Sequence, residues 1–276
     1  MSRHSATRPN WVAGGLAMLW LVITAVPVLT MLSWAFQFRT DFVDHGPISL
    51  PLRPTLSNFT AVIDSGFLTY LKNTVIVTIA CVALTLAIAI PAAYAIVRSH
   101  SWLAGTAFRV FLLGLAIPAQ AVIIPVYLLV VRLQLYDTVW AIVLPTVAFG
   151  LPLVILVLAG SLRDITRDMY EAMTVDGAGA FRMLVNLVIP LSRGSITAVG
   201  IFAALHAWNG FIFPLVVTRS AENRVLTIGL QGFRTEYGIN IPAMMMAVLL
   251  SALPVFVLYV LARRWLVAGF AGVGGK

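Results

Sequence analysis

The stretch TVWAIVLPTVAFGLPLVILVLAGSL, residues 138–162, contains no charged residue and leads directly into RDITRDMYEAMTVDGAGAFRMLVNLVIP, residues 163–190. The first segment exceeds the ~20 residues that a helix needs to cross ~30 Å of hydrocarbon. The second segment carries charges of both signs and two closely spaced glycines. This change indicates a membrane-spanning helix that ends in a polar segment at the membrane surface.

The rest of the chain repeats the apolar pattern. Of its 276 residues, 61% are hydrophobic and 10% are charged, whereas ordinary soluble domains contain roughly 25% charged residues. Six stretches that contain no charged residue exceed the minimum length of a span: Trp11–Phe38, Asn73–Val97, Val110–Val131, Thr138–Leu162, Gly194–Thr218 and Tyr237–Ala262. They predict a single transmembrane domain over residues 1–276, with spans at about 11–37, 73–97, 110–131, 138–162, 194–218 and 240–262.

These runs predict helices and not strands. They are continuously apolar, whereas the strands of a membrane barrel alternate in polarity over roughly 10 residues. The predicted fold class is therefore an all-α membrane protein with six transmembrane helices. The first run is longer than the apolar core of a signal peptide, roughly 7–15 residues, so we expect it to be retained. The lone Cys81 excludes an internal disulfide.

Lysine and arginine are distributed unequally between the two sides of these spans. If the amino terminus is cytoplasmic, eleven basic residues lie inside: Arg3, Arg8, Arg98, Arg109, Arg163, Arg167, Arg182, Arg193, Arg263, Arg264 and Lys276. The seven outside are Arg39, Arg53, Lys72, Arg132, Arg219, Arg224 and Arg234. Because cytoplasmic loops carry the excess of Lys and Arg, we expect both termini to be cytoplasmic. This asymmetry also explains the net charge of +8. The sequence outside the predicted spans has no cluster of basic residues with interleaved aromatic residues, the pattern that would indicate nucleic-acid binding.

Residues 163–190 thus lie in the cytoplasm between spans four and five, and their pattern predicts a helix-turn-helix. Four apolar residues recur at steps of three and four and form one stripe on a first short helix: Leu162, Ile165, Met169 and Met173. Asp164 or Thr166 can cap this helix. Gly177 and Gly179 are expected to end it, because glycine tolerates the positive φ of a tight reversal.

A second helix is expected from about Phe181 to Pro190, where the proline ring and the missing amide proton bend or end it. The pattern by itself suits an amphipathic connector that rests on lipid headgroups equally well.

The same segment resembles the EAA motif, written EAA-x₃-G-x₉-I-x-LP, of permease subunits of ATP-binding-cassette importers. The matching residues are Glu171-Ala172-Met173, then Asp176-Gly177-Ala178, then Leu187, Ile189 and Pro190. The spacing is fully kept. Three apolar exchanges, at Met173, Leu187 and Ile189, are of the kind that a packed surface tolerates.

The resemblance covers nearly the whole chain and points to the carbohydrate-importer branch, in particular the second permease of maltose-type systems. PTLSNFTAVI and YLKNTVIVT resemble that branch before and in span two, AWNGFIFPLVV resembles its fifth span, and RRWLVAGFAGVGGK resembles its ending. The chain closes in Gly-Gly-Lys, where that ending usually has Val-Lys-Gly.

The resemblance implies a multi-pass permease of a bacterial-type cell membrane. Its implied partners are a second homologous permease, two ATPase subunits, an extracytoplasmic solute-binding protein and membrane lipid. The EAA hairpin would be the coupling element that docks into a cleft of the ATPase, through Glu171, Ala172, Asp176, Gly177, Ala178 and Pro190. ATP and magnesium would be bound by the ATPase subunits, and this chain would hold no cofactor.

Other function classes fit the sequence less well. The terminal GVGGK lacks the Ser or Thr and the following helix of a phosphate-binding loop. The four histidines lack the spacing of a metal site, and no catalytic residue is expected. A secondary transporter is the main alternative, but none of the ten acidic residues lies in a predicted span, where a coupling carboxylate is common. A permease of this type for a non-sugar solute also stays open.

Prolines in spans three to five free backbone carbonyls, which is tolerated where those groups line a cavity or meet another helix. The polar or amphipathic side chains near them are the candidate pathway lining: Gln120, His206, Trp208 and Asn209. His206 and Asn209 are three positions apart and are predicted to share a helix face. Such a lining suits a neutral, hydroxyl-rich solute. Hydrogen bonding between spans is the alternative role.

Overall fold

The computed structural model describes residues 11–47, 49–51, 53–99, 101–235 and 238–271, without the side chains of 234–235 and 261–271. Arg3, Arg8 and Lys276 of the predicted inner side lie outside the described residues, as do the side chains of Arg263 and Arg264. In chain order the helices are α1 (Trp11–Ala35), α2 (Arg39–His45), α3 (Ser57–Asp64), α4 (Phe67–Arg98), α5 (Trp102–Gly114), α6 (Ile123–Arg132), α7 (Val139–Leu162), α8 (Arg167–Val175), α9 (Ala180–Met183), α10 (Ile189–Leu191), α11 (Arg193–Trp208), α12 (Ile212–Val217), α13 (Leu226–Gly229) and α14 (Ile241–Ala271). Two short strands, β1 (Arg234–Thr235) and β2 (Gly238–Ile239), pair antiparallel.

Four helices are each long and apolar enough to cross a membrane: α1, α4, α7 and the portion Ile241–Val260 of α14. Two further pairs of segments meet the same criterion together but are bent, Trp102–Gly114 with Ala119–Arg132 by 93° and Ala180–Leu191 with Arg193–Trp208 by 82°. Within the described residues, the candidate spans number four, or six if each bent pair counts as one. The all-α membrane fold is confirmed, and the count of six stays a prediction.

Two of the predicted spans contain breaks. In the region predicted as 110–131, α5 ends at Gly114, and a 3₁₀ turn over Ala119–Val122 precedes α6. Pro118 begins this turn and has no amide proton to continue the ladder of α5. In the region predicted as 194–218, α11 ends at Trp208 and α12 starts only at Ile212.

The chain divides into two compact units. The first contains the residues up to Ser65 together with Gly232–Ala252. Inside it, the buried side-chain amide of Asn58 donates hydrogen bonds to the backbone carbonyls of Ala35 at 2.9 Å and Gln37 at 2.7 Å. These bonds hold the end of α1 against α3.

The second unit contains Gly66–Gln231 and the chain from Leu253 onward. Its main core lies among α4, α7 and α11, where small side chains such as Ala89, Ala93 and Ala159 are fully buried. Small residues let helix backbones approach closely, and membrane helices pack mainly in this way. Larger side chains, including Ile155 and Leu158, fill the space between the helices.

A loop in this unit is fastened to the start of α4. The side-chain amide of Asn73 donates to the backbone carbonyls of Glu222 and Arg224, and the Thr74 hydroxyl accepts from the amide of Leu226 at 2.9 Å. Buried polar groups in a membrane helix need such partners. The segment 222–226 is therefore held in place by side chains about 150 positions earlier in the chain.

Candidate functional site

Residues 163–190 form a helical hairpin whose turn is a Schellman motif. Helix α8 ends at Val175 and is followed by Asp176 at the C-cap position and by Gly177, which has a φ of +73°. The amide of Ala178 donates to the carbonyl of Met173 at 2.9 Å, and the amide of Gly177 donates to that of Thr174 at 3.0 Å. Both bonds belong to this motif, which favours glycine at the left-handed position. Thr166 occupies the N-cap position of α8, but its side chain makes no capping hydrogen bond.

The second glycine of the turn does not behave as expected. Gly179 has a φ of −73° and a ψ of 170°, an extended conformation that any residue can adopt. Of the two glycines in this turn, only Gly177 has a backbone conformation that favours glycine. Beyond Gly179, α9 passes through a π-helical turn over Leu184–Val188 into α10, which contains Pro190 and ends at Leu191.

The inner face of the hairpin belongs to the core of the second unit. Tyr170, Ala178, Met183 and Val188 are between 0% and 8% exposed and lie in the same cluster as the buried residues of α4, α7 and α11. The hairpin is thus packed onto the candidate spans through these four side chains. A displacement of α8 would have to move α4 and α7 or break this packing.

The stripe predicted for α8 is wrong at one position. Met169 is 46% exposed, and the neighbouring Tyr170 is buried in its place. The Tyr170 ring stacks with Tyr94 at a centroid distance of 6.4 Å, and the guanidinium of Arg98 lies 4.4 Å from its centre. Burial raises the pKa of the Tyr170 phenol, Tyr94 raises it further and Arg98 opposes the change. The phenol therefore stays protonated at neutral pH.

The outer face of the hairpin is exposed and partly apolar. Val175 is 87% exposed and Phe181 is 79% exposed, although both belong to types that soluble surfaces usually shelter. Glu171, Ala172, Asp176, Gly177 and Pro190 are also exposed. Ala178 differs from its predicted place on a docking surface, because its side chain is 8% exposed and packs into the chain's own core.

The candidate pathway residues lie at the two breaks. Gln120 is exposed on the 3₁₀ turn before α6. His206 is exposed, and its ring stacks on Phe202 at 6.0 Å. Asn209 forms the C-cap of α11, where its side-chain amide donates to the carbonyl of Leu205 at 2.9 Å. In the described part of the chain, none of these three donates or accepts a hydrogen bond between helices.

Trp208 has different surroundings from these three side chains. It lines an apolar cavity of about 440 Å³ between α4, α11 and α14, together with Thr78, Ala204 and Pro254. Gln120, His206 and Asn209 do not line this cavity. The structure therefore does not bring the four candidates together into one polar pocket.

Comparison with known proteins identifies the family. Residues 83–270 match the family described as the binding-protein-dependent transport system inner membrane component. The chain belongs to this family. The matched residues include the whole hairpin, the second half of α4, all of α7 and α11, and all but the last residue of α14.

Curated relatives cover nearly the whole permease. It is 36% identical over 251 residues, 91% of each chain, to a putative ABC transporter permease protein of Caldicellulosiruptor sp. strain Rt8B.4. It is 30% identical over 256 residues to a diacetylchitobiose uptake system permease of Streptomyces coelicolor, covering 92% of this chain and 84% of that one. It is 28% identical over 281 residues to an arabinooligosaccharides transport system permease of Halalkalibacterium halodurans, covering 100% and 99%.

The resemblance to importer permeases that the sequence indicated is thereby confirmed. The protein is a multi-pass inner membrane permease, the membrane component of a transport system and not its catalytic subunit. The secondary-transporter alternative is not favoured.

Two features of the permease's hairpin were not predicted from the sequence. Tyr170 was missed because its burial depends on Arg98 and Tyr94, which lie more than seventy positions earlier. The outer apolar pair, Val175 and Phe181, flanks the turn and interrupts a run of small and polar residues. That interruption is the local signal that could have indicated a docking surface.

Proposed function

We propose that this permease translocates a sugar or sugar-like solute by alternating access, coupled to separate ATPase subunits through the hairpin 163–190. The solute would be delivered by an extracytoplasmic binding protein, and a second homologous permease would complete the pathway. The observation that carries the proposal is the two-sided hairpin. Its inner face shares a core with α4, α7 and α11, while its outer face exposes Glu171, Val175 and Phe181.

A hairpin of this kind can act as a lever. When the ATPase subunits close on ATP, they displace the outer face, and the close-packed inner face carries the displacement into the spans. The pathway then opens outward, and hydrolysis resets it. ATP and magnesium act in the ATPase subunits, and this chain contributes no catalytic residue and no cofactor.

Two arguments support an orientation of the permease with the hairpin in the cytoplasm. The hairpin must face the cytoplasm to meet an ATPase, and this places both termini of the permease inside. The excess of eleven basic residues over seven on that side supports the same orientation.

The relatives support a carbohydrate as the solute, because two of them are named for the uptake of diacetylchitobiose and of arabinooligosaccharides. The uncharged runs of the sequence agree with a neutral cargo. Amide, imidazole and indole groups, as at Asn209, His206 and Trp208, can bind sugar hydroxyls without a buried charge.

The coupling surface is tested with two matched valine variants. Val175→Glu places a charge on the outer face of the hairpin, and Val43→Glu places one on α2, which lies on the opposite side in the proposed orientation; both valines are highly exposed, at 87% and 71%. Co-purification of the ATPase and ATP hydrolysis in reconstituted vesicles are measured for both variants. Val175→Glu should reduce both, while Val43→Glu should reduce neither. Normal ATPase association of Val175→Glu would show that the hairpin is not the docking surface.

The solute class is tested with the partner binding protein. Solute-stimulated ATP hydrolysis is measured in vesicles that contain the full complex, with neutral oligosaccharides, amino acids and charged sugars supplied in turn. The neutral oligosaccharides should stimulate hydrolysis most. A response confined to amino acids would support a permease of this family for a non-sugar solute.

A further inference from the structure

We propose that a cavity beneath the start of α8 binds a phosphate group, either the headgroup of an anionic lipid or a free phosphate. The cavity has a volume of about 630 Å³ and lies where α4 and α7 end. Its lining consists of Val97, Arg98, Leu162, Arg163, Ile165, Thr166, Arg167, Tyr170 and Glu171. All of these residues belong to the second unit.

The cavity has an excess of positive charge. Three arginines and one glutamate line it, and the glutamate, Glu171, already pairs with Arg167 at 2.8 Å. In the described part of the chain, no carboxylate lies within ion-pair distance of Arg98 or Arg163. Two guanidinium groups are therefore left without a counter-charge.

Both guanidinium groups are held in place by aromatic rings. The Arg98 group lies 4.4 Å from the centre of the Tyr170 ring, and the Arg163 group lies 5.5 Å from the centre of the Phe108 ring. Stacking of this kind orients a guanidinium and leaves the N–H groups at its edge free to donate. Arginine in a fixed orientation is well suited to bind phosphate oxygens.

An unpartnered buried hydroxyl provides independent support. Tyr170 lines the cavity and is 3% exposed, yet its hydroxyl has no hydrogen-bond partner among the described residues. Buried hydroxyl groups are almost always paired. A phosphate oxygen in the cavity would accept this hydrogen bond. The first turn of α8 also lacks a side-chain cap at Thr166, and helix N-termini favour anions.

The position of the cavity fits a lipid headgroup. Helices α4 and α7 are both candidate spans, and the cavity lies at the same end of each, where Arg98 and Leu162 are their last residues. Phosphate groups of lipids lie at that level of a bilayer, and basic pockets between spans on the cytoplasmic side bind such headgroups. Val97, Leu162 and Ile165 provide apolar lining beside the arginines.

The test uses the full chain without its partners, in nanodiscs made of phosphatidylcholine with or without phosphatidylglycerol. Lipid that remains bound is counted by native mass spectrometry, and thermal stability is recorded in parallel. Inorganic phosphate is added to pure phosphatidylcholine discs as a second arm. Three variants are compared with the unaltered chain: Arg98→Gln, Tyr170→Phe and Arg109→Gln. The last removes the same charge from α5, outside the cavity, where Arg109 contacts its own helix at Gly105.

The unaltered chain should retain phosphatidylglycerol in preference to phosphatidylcholine. Arg98→Gln should weaken this preference about tenfold, the usual effect of losing one hydrogen bond to a charged group. Tyr170→Phe should weaken it less, and Arg109→Gln should leave it unchanged. Stabilisation by phosphatidylglycerol alone identifies the lipid as the source of the phosphate, and stabilisation by inorganic phosphate identifies the free anion.

Three results would overturn the proposal. The first is equal retention of both lipids together with no effect of phosphate. The second is equal weakening by Arg98→Gln and Arg109→Gln, which would indicate general attraction to a basic chain. The third is that Arg98→Gln retains phosphatidylglycerol as well as the unaltered chain does, which would show that this arginine does not bind the phosphate. The binding assay requires no transport and no partner subunit, so its failure is distinct from failure of the proposed coupling role.

Discussion

The guanidinium of Arg167 donates a hydrogen bond to the carboxylate of Glu171, 2.8 Å away and one helical turn later in α8. Both side chains are largely exposed, at 78% and 61%. Exposed pairs with this spacing contribute only about 0.3–0.5 kcal/mol. The pair therefore orients Glu171 on the outer face of the hairpin without determining its stability.

Glu171→Lys should leave folding intact and weaken ATPase association. The change removes a weak surface pair, so the melting temperature should shift by no more than about 2 °C. Loss of one charge-assisted contact with the ATPase should lower its affinity about tenfold. Asp168→Lys is the matched control, with the same charge change in the first turn of α8. Equal effects of the two variants on co-purification would exclude a specific role of Glu171.

Gly177→Val should disturb the turn through the backbone alone. A Cβ at Gly177 would meet no atom within 4 Å, but its φ of +73° costs a non-glycine residue roughly 1–2 kcal/mol. The variant should insert into the membrane and lose coupling between ATP hydrolysis and uptake. The measurement is the ratio of the two rates in reconstituted vesicles.

Two controls separate turn geometry from added bulk. Gly177→Asn should retain most coupling, because asparagine tolerates the left-handed conformation better than other residues. Gly179→Val should also be tolerated, since its backbone is extended and a Cβ there meets no atom within 4 Å. If Gly179→Val uncouples as strongly as Gly177→Val, the strained turn is not the cause.

Asn209→Leu should reduce solute uptake while complex assembly and basal ATP hydrolysis stay near normal. The Asn209 amide bonds to Leu205 in its own helix, so its loss breaks no described bond between helices. Asn209→Gln retains the amide and should retain more uptake. Loss of assembly in Asn209→Leu would instead assign the side chain a structural role.

Asp137 organises the loop after α12. Its backbone has a φ of +60°, and its carboxylate accepts from the amides of Arg219 at 2.9 Å and Ser220 at 3.1 Å. Partial burial raises the pKa of this carboxyl, but the backbone hydrogen bonds from Arg219 and Ser220 outweigh it, so the pKa lies below its ordinary value of 3.8. A lowered pKa means that the stabilisation is present above pH 3.8 and is lost as the pH falls through the lower folded-state value.

Asp137→Ala should therefore speed hydrogen exchange at the amides of Arg219 and Ser220. Asp137→Asn should have a smaller effect, since one acceptor oxygen and the tolerance of positive φ remain. Between pH 4 and pH 7 the difference between Asp137→Ala and the unaltered chain should persist. Unchanged exchange in Asp137→Ala would show that the carboxylate does not hold this loop.

The long helices could be predicted from the sequence because their signal is local. Uninterrupted apolar runs mark α1, α4 and α7 within a few residues, and the motif spacing marks the turn at Gly177. The breaks after Gly114 and Trp208 could not be located from apolar content, since the residues at both breaks are mostly apolar or small as well. Proline indicates that a helix can break and leaves the position of the break undecided.

The features that long-range contacts determine were not predictable. Met169 and Tyr170 both suit the inner face of α8 by periodicity, and the choice between them depends on Arg98 at the end of α4. Similarly, the carboxylate of Asp137 accepts hydrogen bonds from the amides of Arg219 and Ser220, which lie some eighty positions later in the chain. A single sequence contains no local signal for contacts between residues that lie so far apart in the chain.

The predicted orientation can be tested with two single cysteines at exposed positions. In a Cys81→Ala background, Ala221→Cys lies in the loop after α12 and Val175→Cys lies at the tip of the hairpin; both sites are exposed. Ser192, which directly follows α10, would be a poor position for the cytoplasmic cysteine. It is 3% exposed, so burial would block its labelling on either side of the membrane. With the hairpin inside, an impermeant thiol reagent added to intact cells should label Ala221→Cys and not Val175→Cys.

Two further conditions make this labelling test decisive. Permeabilised cells that lack the partner ATPase should label Val175→Cys fully, which shows that the site is reactive once the reagent reaches it. The Cys81→Ala background without an added cysteine should stay unlabelled throughout. Labelling of Val175→Cys but not Ala221→Cys in intact cells would reverse the orientation. The hairpin could then meet no cytoplasmic ATPase, and the lever mechanism would have no source of energy.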